Sequence, residues 1–175
     1  MNRRSGLRAR IWAALAACAL FAGIASGADN ATLTTPVDLH ADGLLARARG
    51  KPLVLMFSLP ACQYCAVVRR NYLLPLTRSA RAADRFVVRE LELTGALPLA
   101  GFGGEKTSGS ALAARYGVHV APTVVMLDRD GKLLAPPLVG GDVAGMYGAY
   151  LDRALDEAQT SLATAAQARA ADRKP

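Results

Sequence analysis

Residues 57–70, with the sequence FSLPACQYCAVVRR, decide the fold of this chain. The apolar run Leu53–Phe57 leads into them and is bounded by prolines, which predicts a short buried strand. A brief turn follows, and Cys62 and Cys65 then open a stretch with helical character. Residues three apart share one face of a helix, so the two cysteines can close a small disulfide ring.

The position of Cys62 at the start of a helix has a chemical consequence. Unpaired amides of the first turn and the helix dipole favour an anion there. The group that they favour is a thiolate, so we expect a Cys62 pKa below the ordinary value of about 8.5. Cys65 lies a turn deeper, where burial disfavours the charged form.

Composition fits one globular domain and excludes a nucleic-acid surface. The chain has 175 residues, of which 52% are hydrophobic and 20% charged, and its formal net charge is +7. Four of the positive charges come from arginines before residue 11, which leaves +3 for the rest of the chain. A charge of that size without a basic cluster gives no reason to expect nucleic acid as a partner.

The first 28 residues have the pattern of a secretory signal peptide. A basic start is followed by an apolar run over residues 11–25 and by Ser26-Gly27-Ala28, and we expect cleavage after Ala28. An uncleaved membrane anchor is one alternative, although the run is short for a span. A lipoprotein is the other, because residues 15–18 fit a lipobox that would anchor the protein through Cys18.

Cysteine usage then points to redox chemistry. The chain has three cysteines, and the mature protein would keep Cys62 and Cys65. A single pair of cysteines this close in sequence is not the pattern of an exported, loop-rich domain that disulfides stabilise. A structural zinc site needs four ligands, and His40 and His119 are the histidines available. A redox-active dithiol is the favoured interpretation, with an inert local disulfide or a metal site as alternatives.

The remaining patterns give an ordered set of elements around this motif. Residues 29–36 are interpreted as a flexible leading segment, 37–160 as the domain, and 161–175 as a tail that is either a helical extension or disordered. The pattern predicts helices within 37–49, from Cys62 to about Leu73 or Leu74, within 110–116 and over 143–158. It predicts strands at 53–57, 86–93, 122–127 and 132–138, the last at the sheet edge because of Pro136-Pro137, and a loop over 94–109.

The combination of motifs resembles the thioredoxin superfamily. The resemblance rests on the strand, C-x-x-C and helix at Cys62 and Cys65, on Tyr116-Gly117-Val118 leading to Ala121-Pro122-Thr123, and on the Asp130-Gly131 hairpin and final helix. More narrowly, the chain looks like exported thioredoxin-like proteins of Gram-negative bacteria. The resemblance implies an α/β fold, with a central mixed β-sheet of about four strands flanked by helices on both faces.

The resemblance also implies roles for residues outside the cysteines. Pro122 would be a cis-proline beside the dithiol, and the backbone of Ala121 would pair with an extended substrate. Gln63 and Tyr64 would support substrate binding from the loop between the cysteines. A stable metal is not implied; Cu(I) held by Cys62, Cys65 and His119 is a remote alternative.

Departures from the family pattern bear on the redox direction. The family's buried aspartate six residues before the first cysteine is replaced by Met56, so proton transfer from Cys65 must use another group. The loop between the cysteines lacks the histidine of the strong oxidants, and Tyr64 precedes the second cysteine, as in glutaredoxins and periplasmic isomerases. We therefore expect a moderately reducing or intermediate couple.

The resulting hypothesis is a periplasmic thiol–disulfide oxidoreductase that reduces protein disulfides. Cys62 would attack, Cys65 would resolve, and the Cys62–Cys65 disulfide would be the redox group, without any other cofactor. Its partners would be substrate protein disulfides and a membrane thiol relay that donates electrons. The alternatives are a redox-inert module that binds peptides, and a disulfide oxidant or isomerase that uses the same site.

Overall fold

The structure, a computed structural model, describes residues 32–78, 81 and 84–171. The predicted signal peptide lies outside these residues. The elements in chain order are α1 (Leu39–Ala48), β1 (Leu53–Ser58), α2 (Gln63–Val68), a π-helical turn (Arg69–Leu73), α3 (Leu74–Leu76), β2 (Val87–Glu92), β3 (Leu99–Ala100), β4 (Lys106–Thr107), α4 (Gly109–Arg115), β5 (Thr123–Leu127), β6 (Leu138–Val139) and α5 (Tyr147–Ala171).

Four strands form a mixed sheet in the order β2-β1-β5-β6. The central strand β1 runs parallel to β2, with Leu53 opposite Val87, and antiparallel to β5, with Phe57 opposite Thr123. All six residues of β1 are buried, as expected for a strand covered on both faces. The predicted α/β fold with a central mixed sheet is confirmed.

Alternate residues of β1 enter two separate hydrophobic clusters, because successive side chains of a strand point to opposite faces. Val54 and Met56 pack with Val68 and with the buried side of α5. Leu53, Leu55 and Phe57 pack with residues of α1 and α4 on the other face. The helices therefore cover both faces of the sheet and hold β1 rigidly beneath the cysteines that follow it.

The sequence predicts that the helix after Cys62 ends before Pro75, but the helix continues past this residue. It passes through the π-helical turn and continues as α3 to Leu76. Pro75 lies at the start of α3, directly after the π-helical turn. The π-helical turn places Tyr72 and Arg69, two residues that reach the site described below.

The predicted loop over residues 94–109 contains a small hairpin, in which β3 pairs with β4. It ends where Gly109 passes close to β2; a Cβ at Gly109 would lie 2.3 Å from the carbonyl oxygen of Glu92. Two-residue strands carry too little periodicity to be predicted, whereas the close approach explains why a glycine begins α4.

The C-terminal region differs from the sequence prediction at both of its elements. The edge strand β6 is limited to Leu138–Val139 and pairs with β5, since the two preceding prolines cannot donate ladder hydrogen bonds. Helix α5 begins at Tyr147, not at residue 143, and is continuous to Ala171. Its buried residues end at Ala158, which means that the last three turns extend past the core.

The segment before α1 is packed against the sheet. Leu33 is buried, and the Glu90 amide donates to the Thr34 carbonyl at 3.1 Å. This edge contact gives β2 a partner on its open side, so residues 32–36 are held in place.

Within the part of the chain that the structure describes, no helix is both long enough and apolar enough to cross a membrane.

Candidate active site

Cys62 is the N-cap of helix α2, with an extended backbone and a half-buried side chain. Its Sγ accepts a hydrogen bond from the Cys65 amide at 3.1 Å. That amide is one of the first-turn N–H groups without a helical partner, so it is directed at the sulfur. The same geometry would stabilise a Cys62 thiolate when the pair is reduced.

Cys65 is fully buried and forms a disulfide with Cys62, and their Cα atoms lie 5.2 Å apart. One sulfur of the pair can therefore meet an incoming group while the other is shielded from it. Between them, Gln63 and Tyr64 are exposed, and 58% of Tyr64 is open to solvent. These four residues are consecutive in the sequence, but they differ in exposure: Gln63 and Tyr64 are exposed, Cys62 is half-buried and Cys65 is buried.

Ala61, directly before Cys62, has a φ of +54°. L-residues with a side chain rarely adopt this left-handed backbone, which costs about 1–2 kcal/mol. The turn from β1 into α2 is therefore strained at the residue that aims Cys62.

Pro122 lies at the same end of the sheet as the disulfide, because Thr123 pairs with Phe57 just before the cysteine turn. The Ala121–Pro122 peptide bond is cis. The buried Thr123 hydroxyl donates to the Val120 carbonyl at 2.7 Å and so holds the turn in front of β5. Val120 remains half exposed beside Ala121.

A segment that the sequence did not assign to the site, residues 140–142, connects its parts. The Gly140 amide donates to the Pro122 carbonyl at 2.8 Å. Gly141 lies against Tyr64, and a Cβ at this glycine would be 2.9 Å from the Tyr64 Cβ. The segment therefore contacts both the proline turn and the loop between the cysteines.

Asp142 ties this segment to the helix that carries the cysteines. Its carboxylate accepts a hydrogen bond from the Tyr72 hydroxyl. This bond raises the pKa of Tyr72 and lowers that of Asp142, with further help to the carboxylate from backbone amides at the start of α5. The Tyr72 ring packs on Tyr147 with centroids 4.9 Å apart, and burial raises the pKa of Tyr147.

No local pattern reveals this contact, since Tyr72 and Asp142 are 70 residues apart in sequence. The one signal near it is the pair of glycines before Asp142, which permits the close approach to Tyr64.

A charged pair lies on the face of the sheet beneath α2. Glu90 is opposite Met56 in the β1–β2 register, and its carboxylate binds Arg69 through two hydrogen bonds of 2.5 and 2.6 Å. The adjacent charges Arg69-Arg70 and the alternating Glu90 and Glu92 predict solvent-facing side chains, but this prediction is wrong for Arg69 and Glu90, because 22% and 13% of their side chains are exposed. Arg69 follows Cys65 by one helical turn, so the pair supports the same face of the helix.

Met56 itself is fully buried among apolar residues. The nearest registered carboxylate, Glu90, is already engaged by Arg69. A proton that leaves Cys65 therefore has no free carboxylate at position 56 to accept it.

Histidine does not join the cysteines. Across residues 32–78, 81 and 84–171, no three His, Cys, Asp or Glu side chains are grouped closely enough to hold a metal ion. His119 is exposed, and His40 contacts the Phe102 carbonyl through its Nδ1 at 2.8 Å.

No curated protein sequence matches significantly. A thioredoxin-fold protein from Helicobacter pylori is 20% identical, and the alignment covers 68% of this chain and 81% of the other, with a TM-score of 0.47. The oxidised C-terminal domain of DsbD from Neisseria meningitidis is 24% identical, over 69% and 98% of the two chains, with a TM-score of 0.43.

Oxidised thioredoxin O2 from Arabidopsis thaliana is 17% identical, over 68% of this chain and 91% of the other, with a TM-score of 0.42. These structural likenesses are too weak to carry a functional argument. The sequence profile of the thioredoxin-like domain matches residues 41–155, well over half of the chain. The chain therefore belongs to the thioredoxin-like domain family.

Proposed function

We propose that this protein is a thiol–disulfide oxidoreductase that reduces protein disulfides in the periplasm. The observation that carries the proposal is the asymmetry of the disulfide: Cys62 is half-buried and receives the Cys65 amide, whereas Cys65 is fully buried. An attacking cysteine must be reachable and favour its anionic form, and a resolving cysteine must be shielded until the first step is complete.

The reaction proceeds in two exchanges. The Cys62 thiolate attacks one sulfur of the substrate disulfide, forms a mixed disulfide and releases the other substrate sulfur as a thiolate. Cys65 then loses its proton to solvent and attacks the Cys62 sulfur, which releases the second substrate thiolate. Two electrons have passed to the substrate, and the Cys62–Cys65 disulfide remains.

The surroundings of the pair favour an extended polypeptide as substrate. The Ala121 backbone precedes the cis peptide bond at the same end of the sheet, and Tyr64 and Val120 present apolar surface nearby. Gln63 is exposed in the same loop and is available to hydrogen bond with a bound chain. A membrane thiol relay would return the disulfide to the dithiol, because the periplasm is kept oxidising.

The decisive experiment compares single cysteine variants. Cys62→Ser should abolish insulin reduction, whereas Cys65→Ser should accumulate mixed disulfides that non-reducing gels resolve. Equal trapping by both variants would contradict the assigned roles. Failure of the wild-type protein to reduce insulin would favour a redox-inert module that binds peptides.

Whether the protein reduces or oxidises its substrates is tested by measuring the reduction potential of the Cys62–Cys65 pair against glutathione. We expect a value between about −270 and −180 mV, the range of reducing and intermediate couples. A value near about −120 mV would assign the protein to disulfide oxidation instead.

Export is tested by intact-mass analysis of the protein recovered from the exporting host. We expect an N-terminus near Asp29, because Ser26-Gly27-Ala28 is the best small-residue cleavage site. A mature chain that begins at a lipid-bearing Cys18 would overturn the soluble periplasmic form.

A further inference from the structure

We infer that the protein has a second binding site, for a long-chain carboxylate, in a groove beside the end of α5. The groove has a volume of about 730 Å³, within the range of small-molecule sites. One wall is the last part of α5, and the other is formed by the turn before β1 and by the chain that follows β5. The hydroxyl of Ser161 donates to the Leu134 carbonyl at 3.0 Å and fixes the helix against this second wall.

The interior of the groove is apolar and elongated. It is lined by Leu134, Leu162 and alanines of α5, among them Ala163 and Ala166. Lining residues 159–170 of α5 extend over about 18 Å at the helical rise per residue. This length suits an acyl chain better than a compact anion.

The rim of the groove is cationic, with Arg47, Lys51, Arg129 and Arg169 around it. Asp128 also lines the groove, but its carboxylate accepts the Asp130 and Lys132 amides at 2.9 and 2.8 Å, which fixes it in the hairpin turn. An anionic head at the rim would therefore meet four cations, of which Lys51 lies over the Phe86 ring at 4.7 Å. It would also meet the engaged Asp128 carboxylate and Asp130, which pairs with Arg129 and Arg169.

Two of those cations are held weakly in the structure. Arg129 and Arg169 approach Asp130 at 3.2 and 4.0 Å, and more than half of the Asp130 side chain is exposed. Exposed ion pairs contribute little to stability, so either arginine can turn to a ligand carboxylate at small cost. Charge and shape together select a monocarboxylate with a long tail.

The groove is remote from the disulfide. Lys51 precedes β1 and Cys62 follows it, and the six residues of this strand span about 20 Å. A ligand in the groove does not reach the cysteines, so this inference does not depend on the proposed redox function.

The test is titration calorimetry of the mature protein with dodecanoate below its micellar concentration. We expect saturable binding of one dodecanoate, at least about tenfold tighter than butyrate, because the added methylene groups are buried. Dodecyltrimethylammonium, which has the same tail and the opposite charge, should bind at least about tenfold more weakly. Absence of saturable dodecanoate binding, or equal binding of the cationic amphiphile, would overturn the proposal.

Matched variants locate the site. Ala166→Phe fills the groove and should weaken dodecanoate binding at least about tenfold, whereas Ala168→Phe, on the same helix outside the lining, should change it less than about twofold. Both positions are exposed, so neither substitution disturbs the core. Equal effects of the two variants would contradict the location.

A second pair of variants tests the rim. Arg47→Ser/Arg169→Ser should weaken binding and flatten its salt dependence, while Arg153→Ser, exposed elsewhere on α5, should do neither. Sedimentation with anionic phospholipid vesicles separates the other source of such chemistry. Vesicle binding without dodecanoate binding would overturn the site as a pocket for a free acid.

Discussion

The hydroxyl of Tyr72 donates a hydrogen bond to the carboxylate of Asp142, and this bond joins the cysteine-bearing helix to the segment that touches Pro122 and Tyr64. The site therefore has a third support besides the sheet and the helix. Asp142 directly follows Gly140 and Gly141, so its hydrogen bond to Tyr72 also restrains the backbone of this segment.

Loss of that hydrogen bond should affect substrates according to their size. In Tyr72→Phe the segment at residues 140–142 is released from the helix, so we expect KM for a protein disulfide to rise by up to about tenfold. Reduction of a small aromatic disulfide, which is too short to contact residues 140–142, should keep the wild-type rate. Tyr150→Phe is the matched control, since Tyr150 is exposed on α5. An equal loss on both substrates would show that the bond supports thiol chemistry instead.

The contact between Gly141 and Tyr64 allows a separate test. A methyl group at Gly141 would lie 2.9 Å from the Tyr64 Cβ and 3.1 Å from its Cδ1, so Gly141→Ala must displace Tyr64 or the segment. We expect weaker binding of a peptide substrate to the Cys65→Ser background, measured by trapping yield at limiting peptide. Gly148→Ala is the control, because its added carbon would make an ordinary 3.4 Å contact with Tyr72. Identical trapping yields for the two variants would show that Tyr64 does not contribute to substrate binding.

Those parts of the site that are close in sequence were predictable from it. A β-strand, a short turn and a helix that begins at Cys62 follow from apolar patterning and from the spacing of two cysteines. The superfamily resemblance is confirmed, because the thioredoxin-like profile covers most of the domain. Residues such as Tyr72 and Asp142 were not predictable, since their contact depends on how the last helix docks.

The exposure of Glu90 and Arg69 was not predictable either, because it also depends on packing between elements that are distant in sequence. An alternating pattern at Glu90 and Glu92 predicts an exposed strand face, but the face of Glu90 is covered by the helix that carries Arg69. Composition also left residues 161–171 open between helix and disorder, because alanine favours helix while few apolar side chains are available to dock it.

The Arg69–Glu90 pair should contribute to stability more than a surface pair does. Glu90→Gln leaves a partly buried guanidinium without its charged partner, so we expect the free energy of unfolding to fall by about 1–3 kcal/mol. Asp130→Asn removes the partner of exposed Arg129, and its effect should stay within about 0.5 kcal/mol. Urea denaturation of the oxidised proteins measures both. Equal effects of the two substitutions would show that burial adds nothing to the Glu90 pair.

Tyr116 should make the fold sensitive to alkaline pH. Burial raises its pKa to about 12, against an ordinary value near 10, and its hydroxyl donates to the Gly131 carbonyl at 2.9 Å. The unfolded chain therefore loses this proton first as pH rises, so stability falls from about pH 10 towards pH 12. Tyr116→Phe cannot ionise and should show a smaller fall. Urea midpoints at pH 9 and pH 11 test this, and parallel falls in both proteins would assign the sensitivity elsewhere.

The backbone at Ala61 is strained, because this residue with a side chain has a left-handed conformation. With φ at +54°, Ala61 carries a Cβ in a region that glycine occupies freely, so Ala61→Gly should raise the free energy of unfolding of the oxidised protein by about 1 kcal/mol. The same substitution at Ala66, within α2, should lower it by about 1 kcal/mol, because glycine weakens a helix interior. The opposite signs distinguish relief of strain from a general effect of glycine on the cysteine region. Chemical denaturation of both variants and the wild type decides it, and a loss of stability in Ala61→Gly would show that the left-handed turn before Cys62 carries no strain.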